Sequence, residues 1–253
     1  MICVLNFATS AYKRVTEQKN MTIPHSIFFP QGNNLPFLAK GIWYVGESGG
    51  YPEKEFTFPG WDHPEVFGTM AKPLHIEYCS GNGSWIAEKA TAHPEIHWVA
   101  IERKCARVKK IWSKAQKMKL SNLFVIWAEG HFVTSRFFSN NSIASIFINF
   151  PDPWPKRKHA KHRLIQPAFA KELARILIEN GTLTLVTDDV AYSTWAIQVF
   201  TEAEGLAPCY SHPFYTTSEE NYGSSYFDTL WRAKGRAIRN HRFIKIKSNP
   251  KNI

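Results

Sequence analysis

The chain has 253 residues, of which 44% are hydrophobic and 14% aromatic, so it can bury one sizeable core. Lys and Arg number 31 against 21 acidic residues, and the formal net charge of +10 favours a polyanionic partner such as nucleic acid. From the charge alone, a generally basic surface without such a partner is the alternative.

Cysteine spacing and hydropathy exclude several classes of protein. The four cysteines, Cys3, Cys79, Cys105 and Cys209, are far apart and form no CxxC pair, so neither a zinc site nor a disulfide framework is indicated. The sequence contains no run of about 18 apolar residues, so no membrane-spanning helix is expected. Residues 1–5 lack the charged start of a signal peptide. We therefore expect a cytoplasmic protein with no bound metal and no membrane partner.

Residues 1–70 show no clean hydrophobic period and are rich in proline, glycine and aromatic residues. One candidate strand stands out at residues 42–45, and a glycine-rich turn at 46–50 follows it. We interpret the remainder of this segment as an irregular N-terminal extension.

A regular pattern begins near residue 71 and continues to about 235. It predicts strands at Leu74–Tyr78, 97–101, 124–127, Ile143–Asn149 and 183–187, with late strands near 208–213 and Tyr226–Ala233. Helices are predicted at 85–92, 106–119, 166–178 (capped by Gly181) and 192–203. This alternation is typical of an α/β domain with a mostly parallel sheet and helices on both faces. Residues 236–253 read as a basic C-terminal tail.

Each of the first four predicted strands ends near an acidic residue: Glu77, Glu102, Glu129 and Asp152. Because the carboxyl ends of parallel strands share one edge of a sheet, these carboxylates should converge on one crevice. The acid after the second strand is well placed to bind ribose hydroxyls. The alternative is that these acids only cap helices.

The turn Ser80-Gly81-Asn82-Gly83 follows the first of these strands and would let a ligand approach the backbone closely. Alternatively, these glycines make an ordinary turn. Four acids nearby disfavour a phosphate-rich cofactor, because like charges repel. A positively charged, phosphate-free nucleoside fits better, and S-adenosylmethionine is such a ligand.

The fourth of these strands runs into Asn149-Phe150-Pro151-Asp152-Pro153-Trp154-Pro155-Lys156. Phe150, Asp152 and Trp154 each precede a proline, which predicts a stiff loop without helix. A basic segment follows from Lys156 to Arg163, and it either contacts phosphates or is a solvated charge run. Trp154 either stacks on a nucleobase or packs where the loop meets the hydrophobic core.

Two later polar features complete the set of candidates. Asp188 follows the fifth strand, where it could accept hydrogen bonds from the N1 and N2 donors of guanine or cap the next helix. Residues 217–220, Thr-Ser-Glu-Glu, lie in a polar loop that alone reads as a surface turn.

Taken together, these motifs resemble the bacterial tRNA (guanine-N7-)-methyltransferase family, TrmB, from about Leu74 to Trp231. The resemblance implies a Rossmann-like S-adenosylmethionine-dependent methyltransferase with a seven-stranded sheet, and guanine 46 of the tRNA variable loop as its target. It assigns cofactor binding to Glu77, Gly81, Gly83, Glu102, Glu129 and Asp152. It assigns substrate binding to Lys156, Asp188, Thr217, Ser218, Glu219 and Glu220, and catalysis to Asp152.

The chain departs from the family pattern at four positions. Cys79 replaces a glycine, Glu129 replaces an aspartate, Glu219 replaces an aromatic residue and His162 replaces an arginine. Two other functions remain open, namely an amino-group methyltransferase and a non-catalytic tRNA-binding protein that retains the fold. We expect tRNA as the partner of a monomer or weak homodimer.

Overall fold

The computed structural model describes residues 37–39, 41–45, 58, 60–219, 222–223 and 225–247. The strands in this part of the chain are β1 (Phe37–Ala39), β2 (Ile42–Tyr44), β3 (Leu74–Tyr78), β4 (His97–Glu102), β5 (Leu123–Trp127), β6 (Ile143–Asn149), β7 (Leu177–Thr187), β8 (Leu206–Pro208) and β9 (Arg239–Lys245). The helices are α1 (Ser84–Ala92), α2 (Cys105–Lys117), α3 (Gly130–Phe137), α4 (Pro167–Ile176), α5 (Val190–Glu202) and α6 (Tyr226–Ala233), with a 3-10 helix at Arg157–His162. None of these helices has the length and apolar character needed to cross a membrane.

These strands form a single sheet in the order β1-β2-β5-β4-β3-β6-β7-β9-β8. Strands β2 to β7 run parallel to one another. Strand β1 is antiparallel to β2, and β9 is antiparallel to both β7 and β8. The sheet has nine strands among the described residues, whereas seven were expected, and β1 and β2 extend its edge beyond β5. The chain order reverses between β4 and β6, on either side of β3, which is where open α/β sheets bind ligands.

Side chains that alternate along the strands pack against two separate groups of helices. Val99 and Ile146 belong to a core that includes Phe169 of α4, and α4 packs against both α3 and α5. On the opposite face, Trp98 and Phe147 contact Trp85 of α1, and α1 packs against α2. Helices therefore cover both faces of a mostly parallel sheet, which confirms the predicted Rossmann-like architecture.

The late strands are where the sequence-based assignment is wrong. Tyr226–Ala233 is helix α6, and its Ser225 hydroxyl caps it by accepting a hydrogen bond from the Asp228 backbone N–H at 3.1 Å. The final strand is β9, which lies inside the segment interpreted as a basic tail and pairs with both β7 and β8. The strand was not predicted because it is rich in basic residues and only Asn240, His241 and Phe243 are buried, so its sequence shows no clear strand pattern.

The predicted cap at Gly181 is also wrong. Helix α4 ends at Ile176 and passes directly into β7, so Gly181 lies within a strand. The register of β7 on β6 shifts between Ile143 and Ser145, and the extra residues bulge beside them. A Cβ on Gly181 would lie 2.8 Å from the Ile178 carbonyl oxygen and 3.1 Å from that of Ala144, so only glycine fits this bulge.

Gly181→Ala is expected to destabilise the protein by about 1–3 kcal/mol, because the added methyl group must displace backbone atoms. Urea unfolding measures the change. The adjacent, exposed Asn180 has a φ of 63° and serves as the control, since Asn180→Gly suits that conformation. Equal stability of Gly181→Ala and the wild type would contradict the crowding at this bulge.

Candidate active site

Two adjoining cavities open at the carboxyl ends of β3 to β6. The Glu77 cavity has a volume of about 390 Å³, and the Asp152 cavity has a volume of about 450 Å³. Cys79, Arg107 and Phe227 line both cavities. The four predicted acids are divided between them: Glu77 lines the first, and Glu102, Glu129 and Asp152 line the second. The fold therefore brings all four to one edge of the sheet.

Glu77, the second-last residue of β3, is buried, with 2% of its surface exposed. Its Oε1 accepts a hydrogen bond from Asn149 Nδ2 at 2.8 Å, whereas its Oε2 is buried without a hydrogen-bond partner among the described residues. Burial raises the pKa of this carboxyl to about 7, although the hydrogen bond from Asn149 opposes the shift. An unpartnered buried oxygen is unfavourable. It therefore indicates a ligand that donates a hydrogen bond or carries positive charge.

Glu102, at the end of β4, is 4% exposed and holds the turn that follows β3. Its Oε2 accepts a hydrogen bond from the Gly81 N–H at 3.1 Å, and its Oε1 accepts one from the Lys104 N–H at 2.9 Å. Arg107 Nη1 lies 3.7 Å from Oε2. Each carboxylate oxygen has two lone pairs, so Glu102 can still accept a hydrogen bond from a ligand hydroxyl.

The two glycines predicted to bind the cofactor differ in their surroundings. Both have left-handed φ values, 58° at Gly81 and 72° at Gly83. A Cβ on Gly81, which lines the Glu77 cavity, would meet only the Cys79 carbonyl oxygen at 3.7 Å. A Cβ on Gly83 would lie 2.8 Å from Ile111 Cγ1. Gly81 thus leaves room beside the cavity, whereas Gly83 lines neither cavity and lets α1 pack on α2.

Cys79 begins the same turn with a φ of 58°, a conformation that suits glycine better than cysteine. The departure from the family glycine therefore falls on a residue whose backbone remains in the conformation that glycine prefers. Burial raises the pKa of its thiol well above the ordinary range, so the thiol stays protonated at neutral pH.

Glu129 shows that the helix-capping alternative holds for one of the four acids. Its Oε1 accepts a hydrogen bond from the His131 N–H at 3.0 Å, and its Oε2 accepts one from the Phe132 N–H at 2.7 Å. These bonds cap α3, a helix that the sequence pattern did not predict. Glu129 also lines the Asp152 cavity, so it caps a helix and faces the site at once.

The loop after β6 contains no helix at residues 151–155, as its prolines predict. Phe150 and Trp154 nevertheless have φ values of 48° and 45°, although a residue before proline favours extended backbone. Such conformations are strained and persist only where the surrounding structure holds them. The loop thereby presents the exposed side chain of Asp152 to its cavity.

Arg163 is the residue that holds this loop. Its Nε donates a hydrogen bond to the Pro153 carbonyl at 3.0 Å, and its Nη2 donates to the Trp154 carbonyl at 3.5 Å. The same guanidinium lies 5.8 Å from the ring centres of both Tyr192 and Trp195. Sequence reasoning placed Arg163 with the phosphate-contacting cations, but its contacts make it a support for the Asp152 loop.

The Asp152 cavity has mixed charge, whereas the sequence pattern indicates only converging acids. Besides its three acids it is lined by five cations, Arg103, Lys104, Arg107, Lys161 and Arg163. Lys156 is exposed at the start of the 3-10 helix and lines neither cavity. Trp154 lines the Asp152 cavity with its ring 5.3 Å from that of His162. The site therefore places cations beside acids, as a cationic cofactor and a polyanionic substrate would require.

Asp188 forms an ion pair with Arg236, whose guanidinium lies 4.2 Å from the centre of the Trp231 ring. The helix-capping alternative is wrong for Asp188, because it is Asp189 that caps α5 by accepting a hydrogen bond from the Tyr192 N–H at 2.7 Å. Asp188 lines neither strand-end cavity.

Thr217, Ser218 and Glu219 line a third cavity, of about 430 Å³, together with Tyr222. Glu219 pairs with Arg242 and accepts a hydrogen bond from the Tyr210 hydroxyl. Glu220 lies outside the described residues. The structure therefore does not bring residues 217–219 to the lining of the two strand-end cavities.

Three residues of the site were missed by sequence reasoning. Asn149 was only the end of an apolar run, although a polar residue in that position could have drawn attention. Arg107 was one of many cations in a basic helix, and Phe227 fell in a segment assigned to a strand. Among the described residues, no cluster of three or more His, Cys, Asp or Glu side chains could hold a metal ion.

Comparisons with known proteins agree with this geometry. A family model described as "Putative methyltransferase" matches residues 71–240. The chain is 40% identical over 214 residues to the tRNA (guanine-N(7)-)-methyltransferase of Chlamydia muridarum, covering 84% of this chain and 92% of that protein. The protein of the same name from Thermotoga maritima is 29% identical over 189 residues, covering 74% of this chain and 58% of that one.

Among solved structures, the [4+2]-cyclase SpnF has a TM-score of 0.50 and 11% identity, covering 70% of this chain and 75% of that chain. That likeness concerns the fold alone. The match to the family model and the identity to the Chlamydia muridarum protein extend over most of the chain. The chain therefore belongs to the bacterial tRNA (guanine-N7-)-methyltransferase family, TrmB.

Proposed function

We propose that this protein transfers the methyl group of S-adenosylmethionine to N7 of guanine 46 in the variable loop of tRNA. One arrangement carries the proposal. Glu77, whose buried Oε2 has no hydrogen-bond partner among the described residues, lines one cavity, and the adjoining cavity is lined by Asp152 together with five cations. The first cavity suits the cationic end of the cofactor. The second has room for the cofactor's nucleoside beside Glu102 and Glu129 and for a base attached to phosphates beside Asp152 and the cations. The name of the Chlamydia muridarum relative supports the choice of guanine N7.

The residues present fit S-adenosylmethionine. Its ammonium group would donate a hydrogen bond to Glu77 Oε2, which has no partner among the described residues, and would place a positive charge beside this carboxylate. Glu102 would accept hydrogen bonds from the ribose hydroxyls, and Glu129 would contact the adenine side. When bound, S-adenosylmethionine supplies an electrophilic methyl group.

The chemistry of guanine N7 determines what the protein must do. N7 carries an in-plane lone pair and no proton, so the transfer requires no general base. The site instead has to orient the base, exclude water and stabilise charge. Methylation leaves positive charge on the purine, and the carboxylate of Asp152 would stabilise it. Asp188 is paired with Arg236 in the structure. In the tRNA complex the guanine N1–H and N2–H groups would replace Arg236 as donors of hydrogen bonds to Asp188.

Lys156→Ala is expected to weaken tRNA binding and to reduce the slope of log K against log salt by about 1, because one phosphate contact is lost. The value of kcat at saturating tRNA should stay unchanged. Filter binding at several salt concentrations measures the slope. Lys247→Ala is the matched control, since Lys247 is equally charged, 78% exposed and paired with Glu179. Identical slopes for the two variants would exclude a specific phosphate contact at Lys156.

The proposed reaction is tested by incubating the protein with labelled S-adenosylmethionine and bulk tRNA and then mapping the modified base. We expect 7-methylguanine at position 46 and no labelling of a transcript that carries adenine there. A methyl group on an exocyclic nitrogen would favour the amino-group methyltransferase. Calorimetric binding of tRNA without binding of S-adenosylmethionine would favour the non-catalytic protein.

A further inference from the structure

Tyr222 connects a distant part of the chain to the buried carboxylate of Glu77. Its hydroxyl donates a hydrogen bond to Asn149 Oδ1 at 2.6 Å, and Asn149 Nδ2 donates to Glu77 Oε1 at 2.8 Å. An asparagine amide has one accepting end and one donating end. The chain of hydrogen bonds therefore has a fixed direction, from the phenol through the amide to the carboxylate.

The other end of Tyr222 is held by α1. Trp85 Nε1 donates a hydrogen bond to the Tyr222 carbonyl oxygen at 2.9 Å, and the two rings lie 5.2 Å apart at an angle of 31°. Trp85 lies two residues after Gly83, the last residue of the glycine turn, and it lines the Glu77 cavity. Tyr222 is thus fixed by the same elements that build the cofactor end of the site.

This geometry decides which way the Asn149 amide points. The phenol hydroxyl is the donor that Oδ1 requires, and with that bond in place the NH₂ group faces Glu77. If the hydroxyl were missing, Oδ1 would lose its partner and the amide could turn its oxygen toward the carboxylate, where two acceptors would repel. The orientation of Glu77, and hence the open position of its Oε2, depends on Tyr222.

We propose that Tyr222 is a positioning residue for the proposed methyl transfer, which sets cofactor affinity through Asn149 and Glu77 without touching the cofactor. Tyr222 also lines the third cavity together with Thr217, Ser218 and Glu219. It therefore links the segment that carries these residues to the cofactor end of the cleft. The inference rests on the proposed function only in taking S-adenosylmethionine as the ligand of the Glu77 cavity.

The test is calorimetric binding of S-adenosylhomocysteine to the full chain, which needs neither tRNA nor turnover. Tyr222→Phe should raise the Kd about tenfold, as expected when a buried acceptor loses its donor. The KM for tRNA should change little. Tyr215→Phe is the matched control, because Tyr215 packs on His241 and lines neither strand-end cavity.

A double-mutant cycle separates positioning through Asn149 from a general structural effect. Asn149→Ala should raise the Kd by itself, and adding Tyr222→Phe to it should raise the Kd no further. An unchanged Kd in Tyr222→Phe, or full additivity of the two changes, would overturn the proposal. If the Kd for S-adenosylhomocysteine changed in the variants as expected but the wild type methylated no tRNA base, the proposed function would fail while this inference stood.

Discussion

Replacing Asp152 by alanine is expected to lower kcat by about 100-fold or more, the loss typical of removing one preorganised charge-stabilising group from a site. The carboxylate is exposed at the tip of a strained, proline-bounded loop that Arg163 holds from behind. It is therefore presented to the cavity by rigid backbone. Methyl transfer to tRNA under saturating conditions measures the effect.

Asp152→Asn is the informative companion variant, because it keeps the shape of the side chain and removes only its charge. If Asp152 acts by stabilising positive charge on the purine, the asparagine variant should lose nearly as much kcat as the alanine variant. An unchanged melting temperature would show that the loop remains folded. Full activity of Asp152→Ala would remove Asp152 from the catalytic assignment altogether.

The central strands and their acids were predictable from sequence because both depend on local patterns. Strand β3 alternates apolar and polar residues up to Glu77, and strand β6 is a largely apolar run that ends at Asn149. Once these strands are placed in a parallel sheet, topology alone carries Glu77 and Asp152 to the same edge. No knowledge of side-chain contacts is needed for that step.

The later elements were not predictable because tertiary pairing overrides their local character. Strand β9 reads as a charged tail, yet it lies between β7 and β8 and buries His241 completely. Helix α6 carries Tyr226, Phe227 and Trp231, aromatic residues that are common in strands, but Ser225 caps it and Arg232 pairs with Asp228 one turn earlier.

The hydrogen bonds that define the cofactor end of the site were equally out of reach. Asn149 and Glu77 are 72 positions apart, and Tyr222 and Asn149 are 73 positions apart. No spacing rule joins residues across such distances. A buried carboxylate with one satisfied and one open oxygen emerges only when the fold has brought all three side chains together.

Glu77→Gln is expected to raise the free energy of unfolding of the cofactor-free protein relative to the wild type at pH 8. The difference between variant and wild type should be about 3 kcal/mol more favourable to the variant at pH 8 than at pH 4. Burial raises the pKa of Glu77 from 4.5 to about 7 in the folded protein. Between these two values the folded state holds the proton more tightly than the unfolded state, so wild-type stability falls as the pH rises through this window. Glutamine does not ionise and escapes that loss. Urea unfolding of both proteins from pH 4 to pH 8 measures the difference, and a constant difference would contradict the raised pKa.

The same substitution should abolish most cofactor binding, because glutamine offers the ligand no negative charge. In the wild type, the affinity for S-adenosylhomocysteine should rise about tenfold between pH 5.5 and pH 7, as the carboxyl ionises and can receive the ligand's ammonium group. In Glu77→Gln that pH dependence should vanish along with the affinity. Glu88→Gln is the control, since Glu88 lies exposed on α1, close in sequence to the same turn. Both outcomes together would show that the buried, unpartnered carboxylate of Glu77 lowers the folding stability of the cofactor-free protein. They would also show that the bound cofactor offsets this cost by pairing with the carboxylate.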